Sequence, residues 1–272
     1  MSTFLGITRE PVFSPGRVTD DSAILQRVAD ELRQGSHTVR VIAGDDACWP
    51  EPTPDTTVFA MCQGPQALQR LQRWAARGVR IINRPEGILN CQRHRTVPAL
   101  LQARTPFAES LLVDTAAEPR FPPWLGDGGA WVKRGDVHAT EPDDVVFVDS
   151  AAAARTALRR FSGRGVARAV LQRHVAGAVL KFYAVYDCFF SCGRPPEGAA
   201  LTADVLRRID VLGREAARAL NVEVYGGDCV LGLDGALTLI DLNDWPSYAP
   251  CRSEAGRAIA AYLLAHQTAS DT

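Results

Sequence analysis

The chain has 272 residues, 46% hydrophobic and 22% charged, with 30 Lys and Arg against 31 Asp and Glu for a net charge of -1. That composition excludes a disordered, collagen-like or coiled-coil chain and suggests about two globular domains, and the charge balance gives no reason to expect a nucleic acid or an anionic membrane as partner. No apolar run reaches the roughly 18 residues of a membrane helix, and residues 1–10 lack the basic and apolar regions of a signal peptide, so a cytoplasmic protein with no membrane association is expected.

The first third alternates short apolar runs with helical patterns. Strands are predicted at 4–8, 39–43, 57–62 and 79–83. A helix is predicted at 23–33, with Asp20, Asp21 and Ser22 as N-caps and Gly35 as its stop, and another from Pro65 to Gly78. Strands alternating with helices imply a mainly parallel α/β sheet. Ligand sites in such sheets lie beyond the carboxyl ends of the strands. Two loops fit that position, 13–17 and 63–64, and both are candidates for an acceptor-substrate site. Residues 83–87 read as a boundary. Beyond it come a helix at 98–103, a Pro- and Gly-rich loop at 118–129, a strand at 131–133 and a helix at 151–161. Strands at 166–175 and 179–186 follow, then a long amphipathic helix at 202–220, a hairpin and a final helix ending near His266. The second part is therefore α+β, with antiparallel pairing. The seven cysteines form no CxxC pair, and Cys188 and Cys192 have no second ligand pair nearby, so reduced thiols are expected rather than zinc or disulfides.

The hairpin carries the chemistry. Asp234-Gly235 between two apolar runs is a strong hairpin signal. A two-residue loop there pairs Leu233 with Ala236, Val230 with Leu239 and Asp228 with Asp241. The two carboxylates then stand opposite each other, and Asn243 points the same way two residues on. Facing acids destabilise a sheet, and a divalent cation removes that cost. Two acids on a solvated rim would be ordinary, but the neighbours here are almost wholly apolar. Two Asp and an Asn supply hard oxygen donors, suited to Mg²⁺ or Mn²⁺.

With this hairpin, ending in Asp241-Leu242-Asn243-Asp244-Trp245-Pro246, the chain resembles the ATP-grasp superfamily. The likeness is to its carboxylate–amine ligases, such as glutathione synthetase-like enzymes and ribosomal-protein glutamate ligases. Three upstream segments fit in family order: Ala130 to Asp136, Leu171 to Gly177, and Lys181 to Val185. The resemblance implies an ATP-grasp fold, α/β plus α+β, with an N-terminal pre-ATP-grasp domain at 1–88. The ATP-grasp domain would cover 89–272, as a lid-bearing part at 89–175 and a metal-binding part at 176–272.

It also implies roles. Lys133 would contact the nucleotide phosphates, with His138 on the loop that covers them. The backbone of Arg173 and His174 would contact the adenine edge, Gln172 would reach the nucleotide, Val175 and Leu231 would line the adenine slot, and Lys181 would reach the terminal phosphates. Asp228, Asp241 and Asn243 would hold the metal. The family usually has a Lys just before a helix where this chain has Arg93 and Arg95; Arg95 is the first choice for that cationic role and Arg93 the second. Arg194 and Arg252 are the candidates for binding an acceptor carboxylate. The implied activity joins small-molecule or peptide carboxylate and amine (or thiol) substrates, consuming ATP through an acyl phosphate and releasing ADP and phosphate; the family often forms homodimers, and the sequence leaves this chain's oligomeric state open. The alternatives are an ATP-grasp kinase of the inositol phosphate kinase type and a non-catalytic nucleotide-binding module.

Overall fold

A computed structural model describes residues 1–137, 139, 141–194 and 201–267. The first sheet is parallel, in the order β2-β1-β3-β4, from β1 (Thr3–Ile7), β2 (Thr38–Ile42), β3 (Thr56–Ala60) and β4 (Arg80–Ile82). Helices α1 (Val18–Gln34) and α2 (Pro65–Ala76) cover it. The buried stripe of α1 is Ile24, Leu25, Val28, Ala29 and Leu32, as its periodicity predicts. The helix starts five residues earlier than expected. Asp20 and Asp21 do not cap it but lie in its first turn, where the helix dipole favours acids.

Residues 83–87 are not a plain linker. They lead into α3 (Pro85–Asn90), with Pro at its first position, and then α4 (Arg93–Gln102). The sequence reading began α4 at Pro98, because Pro98 interrupts an interior turn. Its buried residues, Arg93, Thr96, Val97 and Leu100, follow a helical period, but two of them are polar.

The second sheet is antiparallel, in the order β5-β8-β6-β7, from β5 (Ser110–Asp114), β6 (Ala130–Arg134), β7 (Val145–Val148) and β8 (Arg168–Arg173). Helix α5 (Ala151–Gly163), capped by Ser150, packs on it. The third sheet, β10-β9-β11-β12, is built from β9 (Ala178–Val185), β10 (Phe189–Cys192), β11 (Val224–Leu231) and β12 (Leu237–Asp244). Helix α6 (Ala203–Leu220) covers one face; α7 (Arg252–Ala265) covers the other together with α1. A single core therefore joins the first and third sheets. Asn83 seals that junction. Its side chain donates to the Val224 carbonyl at 2.7 Å and accepts the N–H groups of Glu223 and Val224, both at 2.8 Å.

Two details shape the hairpin. Its loop holds three residues, not two: Gly232 N–H donates to the Ala236 carbonyl, and Gly235 adopts φ +76°. The tip register is therefore one residue off the expected pairing, with Val230 opposite Thr238. A β-bulge at Ile240 then shifts the register back, and Asp228 faces Asp241 as predicted. Two one-residue offsets cancel.

The linker from β8 to β9 turns at Gly177, where φ is +148° and a Cβ would stand 2.3 Å from the Leu231 carbonyl oxygen. Gly177→Ala is expected to cost about 1–3 kcal/mol, read by denaturant unfolding.

Candidate functional site

The register of the third sheet builds the site. Lys181 on β9 pairs with Asp228 on β11, which pairs with Asp241 on β12. One cross-strand row thus carries a cation and two acids. The next row on the same face is Tyr183, Gly226 and Asn243. Glycine at the middle position leaves Asn243 without a cross-strand side chain. Both rows line an open cleft of about 400 Å³, a size suited to a small-molecule ligand.

Two more cations converge on the acids. Lys133 is 7% exposed and reaches from β6 to the bulge: its Nζ donates to the Ile240 carbonyl at 3.1 Å and to Gln172 Oε1 at 2.7 Å. The bulge thus supplies an unpaired carbonyl as well as aiming Asp241. Arg93 donates to Asp241 Oδ2 at 2.9 Å and to the Val137 carbonyl at 3.2 Å. Lys181 Nζ lies 3.0 Å from one Asp228 oxygen and 3.4 Å from the other.

These neighbours set the protonation states. Burial alone would raise the Asp241 carboxyl, but Arg93, with Lys133 and Lys181, outweighs it and holds it below the usual carboxylate range. Asp228 is raised, by burial first and Asp241 next, against the opposing Lys181. Burial lowers Lys133 to about 8, against the pull of Asp241.

No family model matches the chain, and neither does any curated protein. Solved structures do match, over nearly the full length. The VanG D-Ala:D-Ser ligase from Enterococcus faecalis superimposes with a TM-score of 0.72 at 9% identity, over 97% of this chain and 98% of that one. A RimK domain ATP-grasp protein from Sphaerobacter thermophilus gives 0.69 at 14% identity, over 96% and 99%. The D-alanine–D-alanine ligase from Bacillus anthracis complexed with ATP gives 0.70 at 9% identity, over 98% and 97%. The chain has the ATP-grasp fold.

Within this fold, the cleft gathers Lys133, Lys181, Asp228, Asp241 and Asn243 from the expected set. Gln172 stands behind Lys133, buried and hydrogen-bonded to it. Arg93, the second choice, takes the position at Asp241, whereas Arg95 is exposed on the outer side of α4 and does not line the cleft. Position 93 follows from the helix beginning upstream of Pro98, which turns Arg93 inward.

Arg173 ends β8, His174 and Val175 begin the linker, and none of the three lines the cleft. The Arg173 side chain pairs with Glu109 at 3.3 Å, and His174 Nδ1 accepts the Trp131 indole N–H at 3.2 Å. Leu231 ends β11 where Gly177 abuts it, three residues or about 10 Å from Asp228. His138 lies outside the described residues.

Arg194 is exposed and does not line the cleft. Arg252 bonds Asp20 at 2.7 Å and joins α7 to α1 instead. Besides Arg93, the arginines on the cleft wall are Arg9 and Arg17, at the carboxyl end of the first parallel sheet. The 13–17 loop supplies Phe13, Ser14, Pro15 and Arg17, and the 63–64 loop supplies Gln63. Sequence position had marked both loops. Arg9 was missed, because its function depends on distant partners: it pairs with Asp21 at 3.0 Å and donates to the Trp245 carbonyl at 2.8 Å.

The metal expectation meets a compatible donor set. Asp228, Asp241 and Asn243 offer only hard oxygens on one face. Among the described residues no group of three or more His, Cys, Asp or Glu side chains could by itself hold a metal ion. Two acids and one carboxamide are an incomplete shell, which phosphate oxygens and water would have to complete. All seven cysteines are free thiols, and no helix among the described residues is long and apolar enough to cross a membrane.

Proposed function

We propose that this protein is an ATP-dependent carboxylate–amine ligase that works through an acyl phosphate and releases ADP and phosphate. One observation carries the reading: the Lys181–Asp228–Asp241 row with Asn243, facing Lys133 and Arg93 across one cleft. Phosphate groups entering the cleft offer Lys181 and Arg93 new anionic partners. That exchange frees Asp228 and Asp241, which with Asn243 would hold Mg²⁺ or Mn²⁺. The metal, when bound, neutralises phosphate charge. Lys133, Lys181 and Arg93 bind and orient the β- and γ-phosphates, so that positioning and electrostatics lower the barrier.

The substrate carboxylate oxygen attacks the γ-phosphorus, the bridging P–O bond breaks, and ADP leaves. The amine nitrogen then attacks the acyl carbon, the C–O bond to phosphate breaks, and the nitrogen gives up a proton. Arg17, exposed on the cleft rim without an ion-pair partner among the described residues, is suited to hold an anionic group of the acceptor. The solved ligases of the same fold support this reading.

The deciding assay incubates the protein, Mg²⁺ and ATP with pooled carboxylic acids and amino acids, and follows ADP, free phosphate and product mass. ADP with free phosphate, and a product equal to acid plus amine minus water, is the expected result. ADP without free phosphate, and a product heavier by one phosphoryl group, would make it a kinase and overturn the ligase reading.

Lys133 gives the reading a pH signature. Phosphate binds its charged form, so above about 8 binding must first take up a proton. The ATP dissociation constant is expected to rise up to about tenfold per pH unit there. Lys133→Arg stays charged and is expected to flatten that rise, measured by calorimetric titration.

A further inference from the structure

Beside the cleft lies a small chamber of about 20 Å³, lined by the polar side chains of Gln63, Gln92, Asn243 and Asp244 and by Ile88, Cys91 and Val137. It shares Gln63, Asn243 and Asp244 with the cleft, so it is a side compartment reached past the metal strand. Its volume holds one particle of about water size.

The chemistry of its wall is unbalanced. Asp244 is 2% exposed, and its Oδ2 is buried without a hydrogen-bond partner among the described residues. Its other oxygen accepts Gln63 Nε2 at 2.9 Å. That bond turns the Gln63 amide so that its oxygen is the free end. Among the described residues, neither that oxygen nor the Asn243 side chain has a donor. Burial first, opposed by Arg9 and Gln63, raises the Asp244 carboxyl to about 6. An unpaired buried carboxylate oxygen costs free energy unless a donor or a cation meets it. The chamber thus sets one buried, unpaired carboxylate oxygen beside carboxamide oxygens, around room for one small particle.

We propose that this chamber binds a monovalent cation of ammonium size, with Asp244 Oδ2, Gln63 Oε1 and the Asn243 carboxamide oxygen as its acceptors. Three acceptors around one small volume suit the three N–H groups of a primary ammonium head, and equally the bare charge of K⁺. A quaternary ammonium has no N–H and does not fit. The site uses Asn243 in its metal-free state and needs no nucleotide, so a test run without divalent metal or nucleotide succeeds or fails independently of the ligase reading.

The test is thermal unfolding of the nucleotide-free full chain in chloride salts of Li⁺, K⁺, NH₄⁺, methylammonium and tetramethylammonium at constant ionic strength. A saturable rise of about 3 °C in NH₄⁺ and methylammonium, absent in Li⁺ and tetramethylammonium, is the expected result. A rise in NH₄⁺ and methylammonium that exceeds the rise in K⁺ assigns the chamber to the head of an amine-bearing molecule. A rise as large in K⁺, with none in methylammonium, assigns it to an inorganic ion. Both results uphold the site. Asp244→Asn is expected to abolish the response. Gln63→Met keeps the volume but removes one acceptor, and is expected to raise the half-saturating concentration about tenfold. It serves as the second variant should Asp244→Asn fail to fold. Equal behaviour in every salt, or a response that survives either substitution unchanged, means the chamber holds only water and overturns the proposal.

Discussion

Asp241→Asn is expected to cut ATP turnover about a thousandfold, the scale on which a preorganised charge at a reacting phosphate acts. Asparagine keeps the shape and one acceptor oxygen but not the charge. In the wild type that charge faces Asp228 and pairs with Arg93 at 2.9 Å. Without it the metal donor set falls to one carboxylate. Arg93 keeps its bond to the Val137 carbonyl, so the fold is expected to lose only about 1–2 kcal/mol. Paired measurement of turnover and unfolding separates the two effects. A turnover loss with near-normal stability supports the reading of the hairpin as a metal and phosphate centre. Unchanged turnover would remove it.

Trp245→Ala acts on the same strand end through packing and is expected to cost about 3–5 kcal/mol. Trp245 is fully buried and belongs to the core shared by the first and third sheets. Its ring lies 6.3 Å from Phe59, and its indole N–H donates to the Ile82 carbonyl at 3.3 Å. Truncation leaves a cavity at the junction and an unpaired carbonyl. Trp245→Phe keeps most of the ring volume and loses the hydrogen bond, for an expected cost of about 1 kcal/mol. Denaturant midpoints of the two variants order these contributions. Because Trp245 directly follows Asp244, the alanine variant is also expected to loosen Asn243 and lower activity beyond its effect on the folded fraction. Equal midpoints for the alanine and phenylalanine variants would mean that this side chain does not weld the sheets.

The α4 region marks the limit of sequence reading. Its buried positions 93, 96, 97 and 100 have helical spacing, yet Arg93 and Thr96 do not read as core. Arg93 is buried only because Asp241 meets it from a strand 148 residues away. No local pattern distinguishes it from Arg95, two residues on and exposed. Arg252 shows the reverse error. Its place after the metal hairpin suggested an acceptor site, but α7 packs against α1 and Asp20 takes its charge.

The hairpin shows a different case. Asp234-Gly235 marked the hairpin, but its loop holds three residues, and Asp228 faces Asp241 only because a second offset cancels the first. The sequence alone could not show that the bulge at Ile240 would compensate. The bulge depends on tertiary partners, since Lys133 from another sheet fills the carbonyl it exposes.

What the sequence by itself determined are the features written within a few residues. These are the alternation of strands and helices, the strand-end loops at 13–17 and 63–64, and the hairpin with an acid on each strand. Side-chain period and turn chemistry are local, so they survive being read without a fold. The tertiary structure alone decided which cation meets Asp241, which arginines face the cleft, and that Asp244 closes a chamber with an unpaired oxygen. Those outcomes rest on charges and carboxamides brought together across more than a hundred residues, for example Gln63 to Asp244 at a separation of 181. Burial and pairing across such distances set the energies, and neither is visible in any window of sequence.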